Sequence, residues 1–288
     1  MPSDGAGGKG RSVAFTKLVA AGNDFVLVDE DRSPAVPPIS EFSRWACRRD
    51  VGIGADGVLM MRRTGADSVN LVVANPDGSI AKMCGNGARC GAYYALTHGL
   101  AAPLTMTFAG RDRDHSLQAR SDGGLIEMTS PQPHAVGDPI EIDGFDFYSV
   151  DTGTEYAVTF VDAVDAVDVP EVGRLVRYHP RFAPGGTSVT FAQVTPDGLR
   201  ARTYERGNEA ETLSCSSGAV AAAVVARHAG LQDSEKVRVH NRSYAPLLVR
   251  LDGRHLPGEP VTVSGPVEPV FTGTIPWRDS WELPETAT

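Results

Sequence analysis

A motif that occurs twice constrains this chain more than anything else in it. Cys84-Gly-Asn-Gly-Ala88 returns 131 residues later as Cys215-Ser-Ser-Gly-Ala219. Gly stands three residues after each cysteine and Ala four after. Ala92 matches Ala223, Ala95 matches Ala226, and Gly99-Leu100 matches Gly230-Leu231. Seven matching positions in one register, the cysteine pair among them, favour duplication over coincidence even in a chain rich in Ala and Gly. Each motif opens a stretch with alanines at helical spacing, Cys84 to His98 and Ser216 to Ala229, that stops at a glycine suited to a helix C-terminus. A period of this length is no solenoid repeat. It predicts an α/β (α+β) fold of two similar domains related by a pseudo-two-fold duplication, each a mostly antiparallel sheet wrapped around a central helix. The expected boundaries are 1–130 and 131–271, with the segment 272–288 free to return to the first domain.

The remaining pattern fits sheets around those helices. Val13 to Lys17 and Asp24 to Asp29 read as strands flanking the turn Ala21-Gly22-Asn23. Ile39 to Arg49 reads as a helix capped by Ser40. Val69 to Ala74, Tyr156 to Val161 and Val189 to Val194 are strand-like, and Leu199 to Glu205 alternates polar and apolar. Short strands fill Leu104 to Met128 and run again to about Val270. Met1 to Arg11 reads as a loose tail without a signal peptide's apolar core, which points to the cytoplasm. Trp277 to Thr288 reads as a polar tail.

Composition excludes several classes of function. The 288 residues carry a formal net charge of −9, with a pI of about 5.3. Such a chain lacks the basic footprint of a nucleic-acid or anionic-membrane binder, and no stretch reaches transmembrane length. Cys47, Cys84, Cys90 and Cys215 form no CxxC pair, and no His/Cys spacing suits zinc. No metal and no other cofactor is expected.

Chemistry therefore turns on which thiols react. Cys84 and Cys215 each stand just before a helix, where free N–H groups and a partial positive charge favour a thiolate and also bind a carboxylate. Gly85, Gly87, Ser216, Ser217 and Gly218 are small enough for a ligand to approach the backbone. If duplication places the two units face to face, one thiol stands on either side of a substrate carbon. Inverting an amino-acid Cα requires that arrangement, a base on one face and an acid on the other. Cys47, beside Trp45, and Cys90, six residues into its helix, read instead as buried small apolar groups. Glu205 and Arg206, taken alone, read as a surface ion pair.

These residues also carry a resemblance. Asn75-Pro-Asp-Gly78 with Cys84-Gly-Asn-Gly-Ala-Arg-Cys90, and Tyr204-Glu-Arg-Gly207 with Cys215-Ser-Ser-Gly-Ala219, resemble the two signatures of the diaminopimelate epimerases. Lys17 with Gly22-Asn-Asp-Phe25 resembles the family's N-terminal strand and turn, and Gly52-Ile-Gly-Ala-Asp-Gly57 the segment between that turn and the first signature. The resemblance implies a cofactor-independent amino-acid epimerase or racemase with its site between the domains and Cys84 and Cys215 as the acid/base pair. It implies that Gly85, Asn86, Ser216 and Ser217 hold the reacting carboxylate, and that Asn23, Asn75, Glu205 and Arg206 contact the rest of the substrate. A small-molecule amino acid is the expected partner, and a homodimer is left open. Departures lie at the far end of the substrate. The family's Gly-Asn-Pro-His reads Gly153-Thr-Glu-Tyr156 here, and a further Asn aligns with Ser188. Thr154, Tyr156 and Ser188 are thus expected to line a changed subsite. The candidate substrates are diaminopimelate and another amino acid such as O-ureidoserine or histidine. Phenazine-type isomerases share the fold but lack the paired cysteines, and a non-catalytic amino-acid binder would not need them.

Overall fold

The computed structural model describes residues 11–131, 133, 136–243, 245–251 and 261–281. Of the loose tail expected over Met1 to Arg11, residues 1–10 lie outside the described residues, as does the polar end from 282 onward, while Arg11 is held, its carbonyl accepting the Trp277 N–H at 2.7 Å. The first half forms β1 (Ser12–Ala20), β2 (Asn23–Asp29), α1 (Ile39–Ala46), β3 (Gly57–Arg63), β4 (Ser68–Ala74), α2 (Gly85–Thr97), β5 (Leu104–Ala109), β6 (Asp114–Asp122) and β7 (Leu125–Ser130). β8 (Ile140–Ile142) and β9 (Phe145–Asp151) lead into β10 (Glu155–Phe160), α3 (Val169–Arg177), β11 (Ser188–Thr195) and β12 (Gly198–Glu205). β13 (Ala210–Thr212), α4 (Ser216–His228), β14 (Lys236–His240), β15 (Leu247–Leu251), β16 (Val261–Gly265) and β17 (Glu268–Pro276) complete the second half.

The pairing of strands repeats step for step. β1–β2 is antiparallel, β2–β3 parallel, β3–β4 antiparallel, β4–β5 parallel, and β5–β6–β7 antiparallel. The second half follows the same sequence through β9, β10, β11, β12, β14, β15 and β16. β7 and β16 then pair with each other, and β17 returns to pair with β1, Ser12 opposite Pro276. The 131-residue register of the cysteine motifs extends to neighbouring elements. It superposes α2 on α4, both 13 residues long, and β3 on β11 at their first residues. It also carries Gly22-Asn-Asp-Phe25 onto Gly153-Thr-Glu-Tyr156, where Gly22 (φ +83°) and Gly153 (φ +94°) turn the chain into β2 and β10.

α4 is nearly all small residues, and α2 is rich in them, because strands enclose both helices. Every residue of α4 from Ser216 to Ala226 is buried. A helix buried all round needs no polar face, and Ala and Gly let the sheet close on it. At Gly91 an added Cβ would stand 3.0 Å from the Leu71 side chain. α2 packs into a cluster with Leu59, Leu71, Met106 and Leu117, while α4 packs with Val158, Leu199, Val249 and Val263.

Four sequence expectations need correction. Ser40 does not cap α1: Pro38 is the N-cap, without a side-chain cap bond, and the helix already ends at Ala46. Beyond it Arg49 leaves the helical path and pairs with Asp24 and Asp56. α3 was not foreseen, although Asp168 caps it by accepting from the Glu171 N–H at 3.1 Å, with Pro170 in its first turn. β3 likewise lies in a stretch to which no strand had been assigned. The tail is not simply polar, because Trp281 is buried against Phe42 and Trp45. Among the described residues no helix is long and apolar enough to cross a membrane.

Candidate active site

Cys84 and Cys215 are the N-caps of α2 and α4, with nearly the same backbone: φ −143°, ψ 100° and φ −125°, ψ 110°. Each Sγ accepts the N–H three residues on, from Gly87 and Gly218, at 3.4 Å in both cases. A Ser or Asp commonly fills this position, and a sulfur there acts as the capping acceptor. The two helix ends meet. A Cβ on Gly85 would fall 2.7 Å from the Ser216 Cβ, so glycine is what permits the contact. Two sets of free N–H groups and two positive helix ends thereby converge.

Arg89 ties the junction together, a residue to which the sequence reading gave no role although it stands within the first motif. It is fully buried, donates to Ser216 Oγ at 2.7 Å and also donates to Asn86 Oδ1. Asn86 in turn donates to the Ser214 carbonyl at 3.2 Å and to Asn23 Oδ1 at 3.3 Å. Among the described residues no carboxylate pairs with Arg89. Burial lowers its pKa to about 10. An uncompensated cation beneath two helix N-termini makes this junction a seat for a carboxylate.

A cleft of about 350 Å³ opens above the junction. Asn23, Asn75, Cys84, Thr154, Tyr156, Ser188, Glu205 and Arg206 all line it. Gly85, Asn86, Cys215, Ser216 and Ser217 are buried at the adjoining helix ends. Cys215 is joined to the cleft wall by the Tyr156 hydroxyl, 3.1 Å from its Sγ. Asn23 and Asn75 reach the cleft but already use their amides within the chain, Asn23 on Asp56 at 2.6 Å and Asn75 on Ser79 at 3.0 Å.

Glu205 and Arg206 do not pair with each other, which removes the surface ion pair that their adjacency had offered. Glu205 accepts the Thr212 hydroxyl, and burial raises its pKa. Among the described residues no cation pairs with it. Arg206 donates to Thr154 Oγ1 at 2.8 Å, to Glu155 Oε2 and to the Gly186 carbonyl at 3.0 Å. Ser188 Oγ accepts the Arg206 backbone N–H at 3.2 Å. Thr154 and Ser188 therefore hold Arg206, and Glu155 already occupies its fork.

One chemical expectation is overturned. Helix N-termini were expected to lower both thiol pKa values. Instead burial pushes Cys84 up to about 11, and the Gly87 N–H only partly opposes it. Cys215 is likewise raised well above its ordinary value by burial and by the charge of Glu205, against the donations of Tyr156 and Gly218. Desolvating an anion costs more than one capping N–H returns. Cys90 and Cys47 sit as expected, buried and with raised pKa values, Cys47 to about 12.

Paired sheets around two central helices, joined where the helix ends meet, define a fold class that several solved proteins share. Over 91% of this chain and 92% of the other, the fold superposes on a probable proline racemase of Agrobacterium radiobacter K84, with a TM-score of 0.67 at 16% identity. Sequence narrows the class. The diaminopimelate epimerase family pattern matches residues 15–133 and 148–243. A diaminopimelate epimerase of Methanocella arvoryzae is 38% identical over 246 residues, covering 77% of this chain and 85% of that one. Another, from Hydrogenobaculum sp., is 34% identical over 280 residues, covering 92% and 99%. The chain belongs to the diaminopimelate epimerase family and is an isomerase of the epimerase/racemase type.

Proposed function

We propose that this enzyme inverts the Cα of diaminopimelate by two-thiol proton transfer, one of Cys84 and Cys215 taking the Cα proton while the other gives its own. The observation that carries the reading is the meeting of two thiol-capped helix ends beside one cleft. The Cα carboxylate sits on the N–H groups of Gly85, Asn86, Ser216 and Ser217, above Arg89. Its ammonium faces Glu205, the buried acid without a cation. One sulfur enters the reaction as thiolate and takes the Cα proton as S–H. The opposite thiol gives its proton to the other face of Cα and is left as thiolate. The carbanion between the two steps is held as an enolate by the converging N–H donors, which bond the gathering oxygen charge more strongly than the ground state. Because the free site disfavours any anion on sulfur, the substrate's ammonium is what offsets the thiolate charge.

A second substrate reading rests on one contact. Arg206, suited to a distal carboxylate, is already bound by Glu155 and Thr154. That favours a neutral polar far end, as in O-ureidoserine. One experiment tests both readings: incubation in deuterated water with LL-diaminopimelate, O-ureidoserine and histidine, followed by mass and chiral chromatography. Solvent deuterium at Cα with inversion is expected, and Cys84→Ala or Cys215→Ala should abolish it. Full inversion by either variant refutes the two-thiol mechanism. Turnover of diaminopimelate alone decides for the first substrate, and turnover of O-ureidoserine alone for the second.

A further inference from the structure

The duplication makes the two thiols nearly equivalent, so any difference between them stands out. Both cap a helix with the same backbone, and both accept one N–H at 3.4 Å. The difference lies on the neighbouring strand. In the first half Phe25 occupies β2, pairs with Gly57 on β3, and packs in the cluster that Cys84 borders. The equivalent residue 131 positions later is Tyr156 on β10, paired with Ser188 on β11. Phe and Tyr share a ring and differ by one hydroxyl. That hydroxyl lies 3.1 Å from Cys215 Sγ, on a residue that is 3% exposed.

We propose that Tyr156 is a positioning residue that distinguishes the two thiols: its phenol donates to Cys215 Sγ, holds that sulfur on the cleft and offsets part of what opposes a thiolate there when Cys215 takes its turn as the base. The donor direction follows from acidity, since the O–H of a buried phenol is available to a sulfur anion while the anion has none to give. The groups facing Cys215 are few. From β12 comes Glu205, whose charge opposes a thiolate. From α4 comes the Gly218 N–H, and Cys84 stands at the opposing helix end. Tyr156 is thus the one side chain among them that stabilises the thiolate, and among the described residues no phenol bonds to Cys84. The asymmetry has a mechanistic consequence. Whenever Cys215 carries the thiolate and Cys84 the thiol, the enzyme binds the epimer whose Cα–H faces Cys215. The other epimer needs the protons exchanged first.

This inference rests on the two-thiol reading, and its failure can be told apart from failure of that reading. The test substitution is Tyr156→Phe, which gives the second half the residue that the first half carries. Iodoacetamide modification of Cys84 and Cys215 is followed separately, by peptide mass, across pH. The variant is expected to slow Cys215 modification about ten- to a hundredfold at fixed pH, the usual worth of a hydrogen bond to a charged group, and to leave the Cys84 profile unchanged. Turnover number should fall by a similar factor with KM nearly constant, because the bond is made to the reacting sulfur and not to the substrate. A purely structural role would move both cysteine profiles together or raise KM. Replacing Tyr156 by 3,5-difluorotyrosine retains the packing while making the phenol more acidic, and should shift the Cys215 profile to lower pH. Equal effects on both cysteines, or no effect on Cys215 from either change, overturns the proposal. If both thiols prove necessary while Tyr156→Phe is silent, the two-thiol reading stands and this inference alone falls.

Discussion

Replacing Glu205 by Gln separates binding from stability in one residue. The side chain lies at the cleft wall, its carboxyl raised by burial, with the Thr212 hydroxyl as a partner and no cation among the described residues. An amide of the same shape still accepts from Thr212, so packing is retained. What is lost is the charge that meets a substrate ammonium, a charge-assisted contact worth ~1.5–3 kcal/mol, or about ten- to a hundredfold in kcat/KM. The free protein should gain, because an ionised carboxylate buried without a counter-charge is destabilising. Each kcal/mol corresponds to about 2–4 °C in Tm for a large domain, so a rise of a few degrees is expected at neutral pH. The sign with pH follows. A raised carboxyl pKa means that the folded protein holds the proton more tightly than the unfolded chain. Its stabilising contribution is therefore complete below the ordinary carboxyl pKa and is lost as pH rises through the folded value. The melting curves of parent and Glu205→Gln should nearly coincide at the acid end and separate above the ordinary carboxyl range, the variant melting higher. Thermal melts across pH, with kcat/KM measured in parallel, check both halves. A variant that melts lower at neutral pH, or that keeps kcat/KM within about threefold, refutes the assignment of Glu205 as the site's unpaired acid.

Two further outcomes follow from the geometry. Gly85→Ala places a Cβ 2.7 Å from the Ser216 Cβ; pushing the helix ends apart should cost ~1–3 kcal/mol of stability and most of the activity, and parental turnover with an unchanged Tm would contradict the close contact. In the free enzyme, Cys84 alkylation should accelerate about tenfold per pH unit from neutral upward, because the thiolate is the nucleophile, and should level off only near pH 11; a plateau below pH 8 would show that the helix N-terminus outweighs burial after all.

Much of the architecture was legible because duplication multiplies weak signals. Neither Cys84-Gly-Asn-Gly nor Cys215-Ser-Ser-Gly is decisive alone, but their common register located both helices to within a residue at either end. α3 escaped because nine residues give little periodicity, and its start signal, Asp168 with Pro170, is short. The match of Asn23-Asp-Phe25 to Thr154-Glu-Tyr156 escaped because it conserves residue kind more than identity, and only the paired strands make it evident. All the candidate contacts gather around one cleft or its adjoining helix ends. Their bonding was not legible: that Arg206 spends its fork on Glu155 and Thr154, and that Arg89 bridges the helix ends, depends on side-chain paths that spacing does not encode. The thiol pKa was misjudged for the same reason. A motif reveals the helix end beside a cysteine, but not how much protein covers it.

The pairing of β17 with β1 also sets the order in which the molecule can be completed. Ser12 finds its partner at Pro276, so one edge of the first sheet waits for nearly the whole chain. During synthesis, residues 12–20 emerge early and keep a row of unpaired backbone groups on that side until β17 arrives. Exposed strand edges of this sort invite pairing with other chains. Contacts so remote in sequence also fold slowly. β7 likewise awaits β16, Ile126 opposite Gly265. Nascent chains halted before residue 260 should therefore expose two open edges and depend on holding factors.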